Sequence, residues 1–260
     1  MKERRIDDRE IHLWQLEHAD FDSSEIEERC LSWLTEGELQ RYRRYRLDRS
    51  RHQLLLSRVL LRVALSSYDG SVAPQDWRFS HNDYGKPALS AGQDGSMLRF
   101  NLSHSGRRAV LAITRGRDVG VDIELAEKPR RIAAIAGRFF SVQEAEALLS
   151  LPRSQQLDRF YDLWTLKEAY IKACGMGLAI PLHHFSYSFP DDSCLALEFD
   201  EQRDDRSANW QLWQLDVGLE YRLSLATKYP AQESRLQLAM LELKALDTVV
   251  EGRVKIRREG

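Results

Sequence analysis

Apolar residues dominate Ile11 to Leu16 in the manner of a strand with one side to a core. Two helices are expected next, the second opened by Thr35 and Glu38 at the S/T-x-x-E spacing of a capping box. From about Asp48 to Tyr68 the apolar positions recur at helical spacing, with Leu54, Leu55, Val59, Leu61 and Leu65 on the inward side. Strands are predicted near Trp77 to Ser80, Met97 to Ser103, Ala109 to Thr114 and Val119 to Leu125. Helices resume from about Arg130, Ser141 and Glu144 repeat the capping box, and the third of these helices runs to Cys174. Gly175 and Gly177 end it, because glycine tolerates positive φ just past a helix C-terminus. Phe185 to Phe189, Leu195 to Phe199, Trp210 to Val217 and Tyr221 to Thr227 then read as antiparallel strands with polar turns. Helices and strands segregated in runs, twice over, predict an α+β fold with two lobes. The tail from Leu243 to Gly260 matches no motif and is left open between helix, strand and disorder.

Composition narrows the classes. A chain of 260 residues, 43% hydrophobic and 30% charged, is globular and long enough for one large core or two smaller ones. A formal net charge of -2 gives no global attraction to nucleic acid or anionic lipid. No apolar run approaches the roughly 20 residues of a membrane span, and MKERRIDDRE lacks the apolar stretch of a signal peptide. A cytoplasmic protein with no membrane or nucleic-acid partner is expected, and, as nothing demands a dimer, a monomer. Cys30, Cys174 and Cys194 are odd in number and far apart, with no CxxC, so neither a disulfide framework nor zinc is indicated and they are read as packing thiols.

The candidate chemistry lies in two segments. In Gly120-Val121-Asp122-Ile123-Glu124 the carboxylates of Asp122 and Glu124 stand at i and i+2 of a strand, on one face, with Val121 and Ile123 on the other. Like charges so placed repel, and an all-oxygen pair suits a hard cation such as Mg2+; an edge strand with a wet polar face is the alternative. In Trp164 to Lys172, Glu168 lies four residues from both Trp164 and Lys172, so the three share a stripe of a largely apolar helix. An ordinary i, i+4 ion pair on a solvated face is the alternative there, and Lys172 near the helix end also gains from the dipole. The stretch Gln40 to Arg62 carries eight arginines (41, 43, 44, 46, 49, 51, 58, 62) and one acid, Asp48. Arginine stems covering apolar surface are one reading of it and an anion site the other. Without a glycine-aromatic stacking motif beside it, nucleic acid is a poor fit.

Two further stretches complete an ordered set: YGKP (Tyr84 to Pro87), FNLSHS (Phe100 to Ser105), GVDIE (Gly120 to Glu124) and WTLKEAYIKACGMGL (Trp164 to Leu178). By themselves, Gly85-Lys86-Pro87 is a turn, and Ser103 and His104 could hydrogen-bond a loop. Neighbours on a strand point to opposite faces, so Ser103 and His104 are not read as a nucleophile and its base. Taken together, the set resembles the 4'-phosphopantetheinyl transferases of the surfactin-synthetase (Sfp) type, over about Glu36 to Phe189.

The resemblance implies a fold of two pseudo-twofold-related α+β lobes, residues 1–115 and 116–260, with the active site in the cleft between them. It implies a holo-[acyl-carrier-protein] synthase activity: the phosphopantetheine arm of coenzyme A passes to a serine of an acyl or peptidyl carrier protein, and 3',5'-ADP leaves. Asp122, Glu124 and Glu168 would hold Mg2+. Lys172 would meet the diphosphate, and Glu168 or a water on the metal would take the serine proton, with Asp122, Glu168 and Lys172 as the catalytic set. Arg49, Lys86, Pro87, Ser103, His104, Lys167 and Lys172 would bind coenzyme A, Lys167 standing about 100 degrees round the helix from Glu168. Trp164 is assigned to the core. Pro129 to Ser154 would form part of the carrier surface. A metal-dependent phosphohydrolase and a coenzyme A-binding module without catalysis are the alternatives.

Overall fold

The computed structural model describes residues 3–93, 95, 97–127, 131–230 and 234–260. The chain forms two compact units, and the first comprises residues up to His81, Pro87–Arg117 and Leu236–Arg253. Strand β1 (Glu10–Glu17) leads to helices α1 (Ser23–Cys30), α2 (Glu36–Arg44) and α3 (Asp48–Tyr68). Helix α2 starts where expected: Thr35 Oγ1 accepts from the Glu38 amide and Glu38 Oε2 from the Thr35 amide, so two amides of the helix start are satisfied reciprocally. The other strands so far are β2 (Phe79–His81), β3 (Pro87–Leu89), β4 (Leu98–Ser105) and β5 (Arg108–Arg115). The predicted strand at Trp77 begins two residues late, because the fully buried Trp77 is a core anchor whose indole N–H donates to Ser66 Oγ at 2.9 Å. Helix α3 turns Leu54, Leu55, Val59, Leu61 and Leu65 into a core shared with Trp14, Leu16, Phe100, Leu111 and Ile113 from the sheet.

The second unit comprises Asn82–Lys86, Asp118–Arg235 and Val254–Gly260. It opens with β6 (Val119–Leu125) and continues with α4 (Ile132–Phe139), α5 (Val142–Ser150) and α6 (Arg153–Cys174). The expected helix start at Arg130 and the residue Pro129 lie outside the described residues. Strands β7 (Phe185–Ser188) and β8 (Ala196–Phe199) form a two-stranded sheet. Strands β9 (Trp210–Leu215) and β10 (Tyr221–Lys228) pair antiparallel with each other, and β10 pairs antiparallel with β6. Helix α6 packs Phe160, Leu163, Leu166, Tyr170 and Ile171 against Phe185, Trp210 and Leu212.

The tail is made of strands. Residues β11 (Gln237–Ala245) and β12 (Thr248–Gly252) return to the first unit, where β11 runs parallel to β1 with Glu10 opposite Gln237. The first sheet has the order β12-β11-β1-β5-β4. Strand β13 (Ile256–Glu259) ends in the second unit and gives its sheet the order β13-β9-β10-β6. Asp162 of α6 clamps it, accepting from Arg257 Nη1 at 2.7 Å and Arg258 Nη1 at 3.0 Å. Cys30 is buried and Cys174 half-buried against the cores, but Cys194 is exposed, so packing accounts for two of the three thiols. No helix among the described residues is long and apolar enough to cross a membrane.

Candidate active site

Strand β6 and helix α6 meet at Gly120. A Cβ at that position would collide with Ala169 O and Ala173 N, both backbone atoms, so only glycine lets the strand lie this close to the helix. Asp122 and Glu124 follow on the same face of β6, by the strand repeat of two. Opposite them on β10 stand Ser224 and Arg222 respectively. Ser224 Oγ is 2.8 Å from Thr165 Oγ1, and Gln214 Nε2 donates to Asp162 O at 3.0 Å, so buried hydroxyl and amide pairs tie the middle of α6 to the sheet.

Asp122 is 3% exposed. Lys172 Nζ stands 2.5 Å from its Oδ1 and donates also to Val121 O at 3.3 Å. The Glu168 carboxyl is held above the ordinary glutamate range, first by burial and then by the negative charge of Asp122, with Lys172 opposing. These three expected residues are therefore brought together. Glu124 lies further along β6 and acts on Tyr161, two turns earlier in α6: after burial, its charge is the main reason the Tyr161 hydroxyl is raised. Among the described residues no group of three or more His, Cys, Asp or Glu side chains is arranged to hold a metal ion. The donor chemistry nevertheless suits a hard cation: Asp122 and Glu168 are oxygen donors whose mutual repulsion shows in the raised carboxyl, and at Asp122 the countercharge is an ammonium.

Lys167 does not join them. Its Nζ is fully buried, 2.8 Å from Glu144 Oε2, and donates at 2.6 Å to the carbonyls of both Leu182 and Phe185. All three N–H donors are spent inside the protein, which leaves none for a ligand and corrects the assignment of Lys167 to coenzyme A binding. Glu144 is also the capping-box acid of α5 and accepts from the Tyr187 amide at 2.8 Å. A cavity of about 870 Å³ beside this pair is walled by Phe140, Leu148, Leu163, Tyr187 and Phe199, and neither Asp122, Glu168 nor Lys172 lines it. Trp164 stacks on Phe160 with centroids 5.9 Å apart and belongs to the core, as expected.

Lys86 also lies in the second unit. Its Nζ is 3.0 Å from Ala173 O and 3.2 Å from Asp118 Oδ1, at the C-terminus of α6. Arg49, Pro87, Ser103 and His104 belong to the first unit. Arg49 is exposed at the start of α3, and Pro87 opens β3. Ser103 is buried and His104 exposed, on opposite faces of β4, with Gln53 Nε2 2.9 Å from His104 Nδ1. Of the arginine cluster, Arg58 and Arg62 are held by Glu38 at 2.8 and 2.5 Å, and Arg51 pairs with Asp48. Glu38 stands just upstream of the arginine-rich stretch, so the count of acids within it missed this partner.

Sequence reasoning passed over Gly120, Asn82 and the Glu144–Lys167 pair. A glycine inside a strand two residues before an acid was a usable signal of close backbone approach. The others had none, because pairing over 23 residues (Glu144 to Lys167) or 93 (Asn82 to Gly175) follows no local spacing.

Comparison with known proteins agrees with the motifs. The family model described as the 4'-phosphopantetheinyl transferase superfamily matches residues 118–229, and that described as 4'-phosphopantetheinyl transferase, N-terminal matches residues 22–115. The chain is 33% identical to 4'-phosphopantetheinyl transferase Sfp of Bacillus subtilis over 208 residues, covering 80% of this chain and 88% of that protein. It is 36% identical to 4'-phosphopantetheinyl transferase HetI of a Nostoc species, over 65% of this chain and 70% of the relative. A third relative, the 4'-phosphopantetheinyl transferase ffp of Bacillus subtilis, is 37% identical over 69% of this chain and 77% of its own length.

Proposed function

The chain belongs to the 4'-phosphopantetheinyl transferase superfamily, and from that premise we propose that it moves the phosphopantetheine arm of coenzyme A onto a serine hydroxyl of an acyl or peptidyl carrier protein. The observation that carries the reading is the convergence of Asp122, Glu168 and Lys172 where β6 meets α6.

The serine oxygen forms a bond to the β-phosphorus of coenzyme A, the bond from that phosphorus to the bridging oxygen breaks, and 3',5'-ADP departs. Such transfers depend on positioning and on stabilising charge more than on covalent chemistry by the protein. Lys172, partly exposed and fixed against Asp122, is suited to meet negative charge growing on the leaving diphosphate oxygen. Glu168 stands beside Asp122 and Lys172, where burial and the Asp122 charge raise its carboxyl in the absence of metal, and we assign it the serine proton. Lys86 has two of its three donors engaged and one left for a phosphate oxygen. Arg49, Pro87, Ser103 and His104 keep their assignment to coenzyme A. Mg2+, held by Asp122 and Glu168 with Glu124, would supply charge neutralisation at the diphosphate. The helices between Arg131 and Ser154 are assigned to the carrier surface, in a cytoplasmic monomer.

Intact-mass spectrometry of an apo carrier protein with this protein, coenzyme A and Mg2+ tests the proposal. A gain of one phosphopantetheine arm, lost with EDTA and with Glu168→Gln, is the expected result. Free 3',5'-ADP without a modified carrier would replace transfer by hydrolysis. Coenzyme A binding with neither product, across fatty-acid, polyketide and peptide carriers, would leave a binding module.

A further inference from the structure

Residues 82–86 join β2 to β3, and Asn82 organises them. Its Oδ1 accepts from the amides of Tyr84 at 3.0 Å and Lys86 at 2.8 Å, an Asx turn with a second amide two residues further on. Its own backbone amide donates to Lys86 O, and its carbonyl accepts from Gly85, whose φ is +85°. Asn82 Nδ2 donates to Gly175 O at 2.7 Å, just beyond the end of α6. Two amides on one atom and a carbonyl facing the other settle which is oxygen and which nitrogen.

The contact is close. A Cβ on Gly175 would stand 2.9 Å from Lys86 Cδ and 3.3 Å from Asn82 Nδ2, so the glycine that ends α6 also makes room for the turn. Lys86 is consequently tied at both ends, its amide by Asn82 and its Nζ by Ala173 O and Asp118. The last turn of α6 contains Lys172, whose carbonyl accepts from the Gly175 amide. One carboxamide thus links the backbone that carries Lys86 to the helix end that carries Lys172.

We propose that Asn82 is a positioning residue that holds the Lys86 ammonium in register with the last turn of α6, and so sets affinity for the phosphates of coenzyme A. The inference rests on the reading of Lys86 as a phosphate contact. Aspartate is the discriminating substitution, since it keeps the acceptor for the Tyr84 and Lys86 amides but turns an oxygen toward Gly175 O where a donor is required.

The experiment compares wild type, N82D, K86A and N82D/K86A in the carrier-modification assay, with hydrogen exchange of the same four proteins. In N82D the KM for coenzyme A is expected to rise about tenfold, the equivalent of one lost hydrogen bond, with kcat within about twofold. In the K86A background the same substitution is expected to change KM no further. Amides of residues 173–177 should exchange faster in N82D while those of Tyr84 and Lys86 stay protected. A wild-type KM in N82D, a fall in kcat alone, or an equal effect in both backgrounds would overturn the proposal. If K86A itself leaves KM unchanged, the reading of Lys86 fails and the inference with it; if K86A raises KM and N82D does not, only the role of Asn82 fails.

Discussion

Lys172 Nζ lies 2.5 Å from Asp122 Oδ1, so that a helix residue and a strand residue 50 positions apart are joined where a partly exposed ammonium meets a buried carboxylate. The ammonium is the countercharge of a carboxylate only 3% exposed, which would otherwise be costly to hold ionised. It also places a cation beside Glu168 without satisfying it, since the Glu168 carboxyl stays raised despite Lys172. The pair is thus both a structural clamp between α6 and β6 and the charge at the proposed reaction centre.

Glu168→Gln is expected to lower kcat by about 10²- to 10⁴-fold, the usual contribution of a proton-transferring group. Its stability should move the other way. A carboxyl raised in the folded state costs stability when ionised, a cost present above the folded pKa and absent below the unfolded one. The variant should melt above wild type at pH 7, and the gap should close as pH falls toward about 4.3. Thermal melts of both proteins from pH 7 to pH 4, with no metal added, measure this; a variant less stable at every pH would contradict the burial argument.

Gly120→Ala is expected to destabilise the protein by about 3 kcal/mol or more, because the new methyl meets backbone of α6 and no flexible side chain can yield. Any folded fraction should have lost transfer activity, since separating β6 from α6 moves Asp122 away from Lys172. Chemical denaturation and the carrier assay report the two effects; wild-type stability would show that the strand and helix are not so closely packed.

Lys167→Met should cost about 3–5 kcal/mol, because it leaves the Glu144 carboxylate and the Leu182 and Phe185 carbonyls without their donor. The loss in Lys167→Met/Glu144→Gln should be smaller than the sum of the single losses. Folded Lys167→Met is expected to bind coenzyme A as wild type does. Calorimetry showing weaker binding at an unchanged Tm would return Lys167 to the ligand.

His18 gives the first unit an acid-sensitive point. Burial, followed by the charges of His52 and His104, lowers its imidazole to about 4. A base lowered in the folded state contributes stability above its unfolded pKa of about 6.5, and that contribution is lost as pH falls through the folded value. Between pH 6.5 and 4 the loss should be on the order of 2 kcal/mol, and His18→Gln should flatten that slope in urea denaturation series. An unchanged slope would place the acid sensitivity elsewhere.

Much of this was legible in the chain. The capping boxes at Thr35/Glu38 and Ser141/Glu144, the inward face of α3, the end of α6 at Gly175 and the shared face of Asp122 and Glu124 each follow from residues within a few positions of one another. Backbone sterics and the repeats of 2 and 3.6 are local rules, so local sequence carries them. The ordered motifs identified the family for the same reason.

Other features depended on partners distant in sequence. Lys167 and Lys172 look alike on one helix, but Lys167 is enclosed by Glu144 and two carbonyls while Lys172 reaches Asp122. The tail from Leu243 matches no motif, yet it completes β11 beside β1 and forms β12 and β13, because a strand's identity lies in the neighbour that accepts its hydrogen bonds. Asn82 is unremarked in its turn until Gly175 stands opposite its amide. The sequence by itself determined most of the elements up to Thr227, the family and the acidic chemistry; where β11 to β13 pair, and which partner each lysine finds, was decided only when the tertiary fold brought together residues distant in the chain.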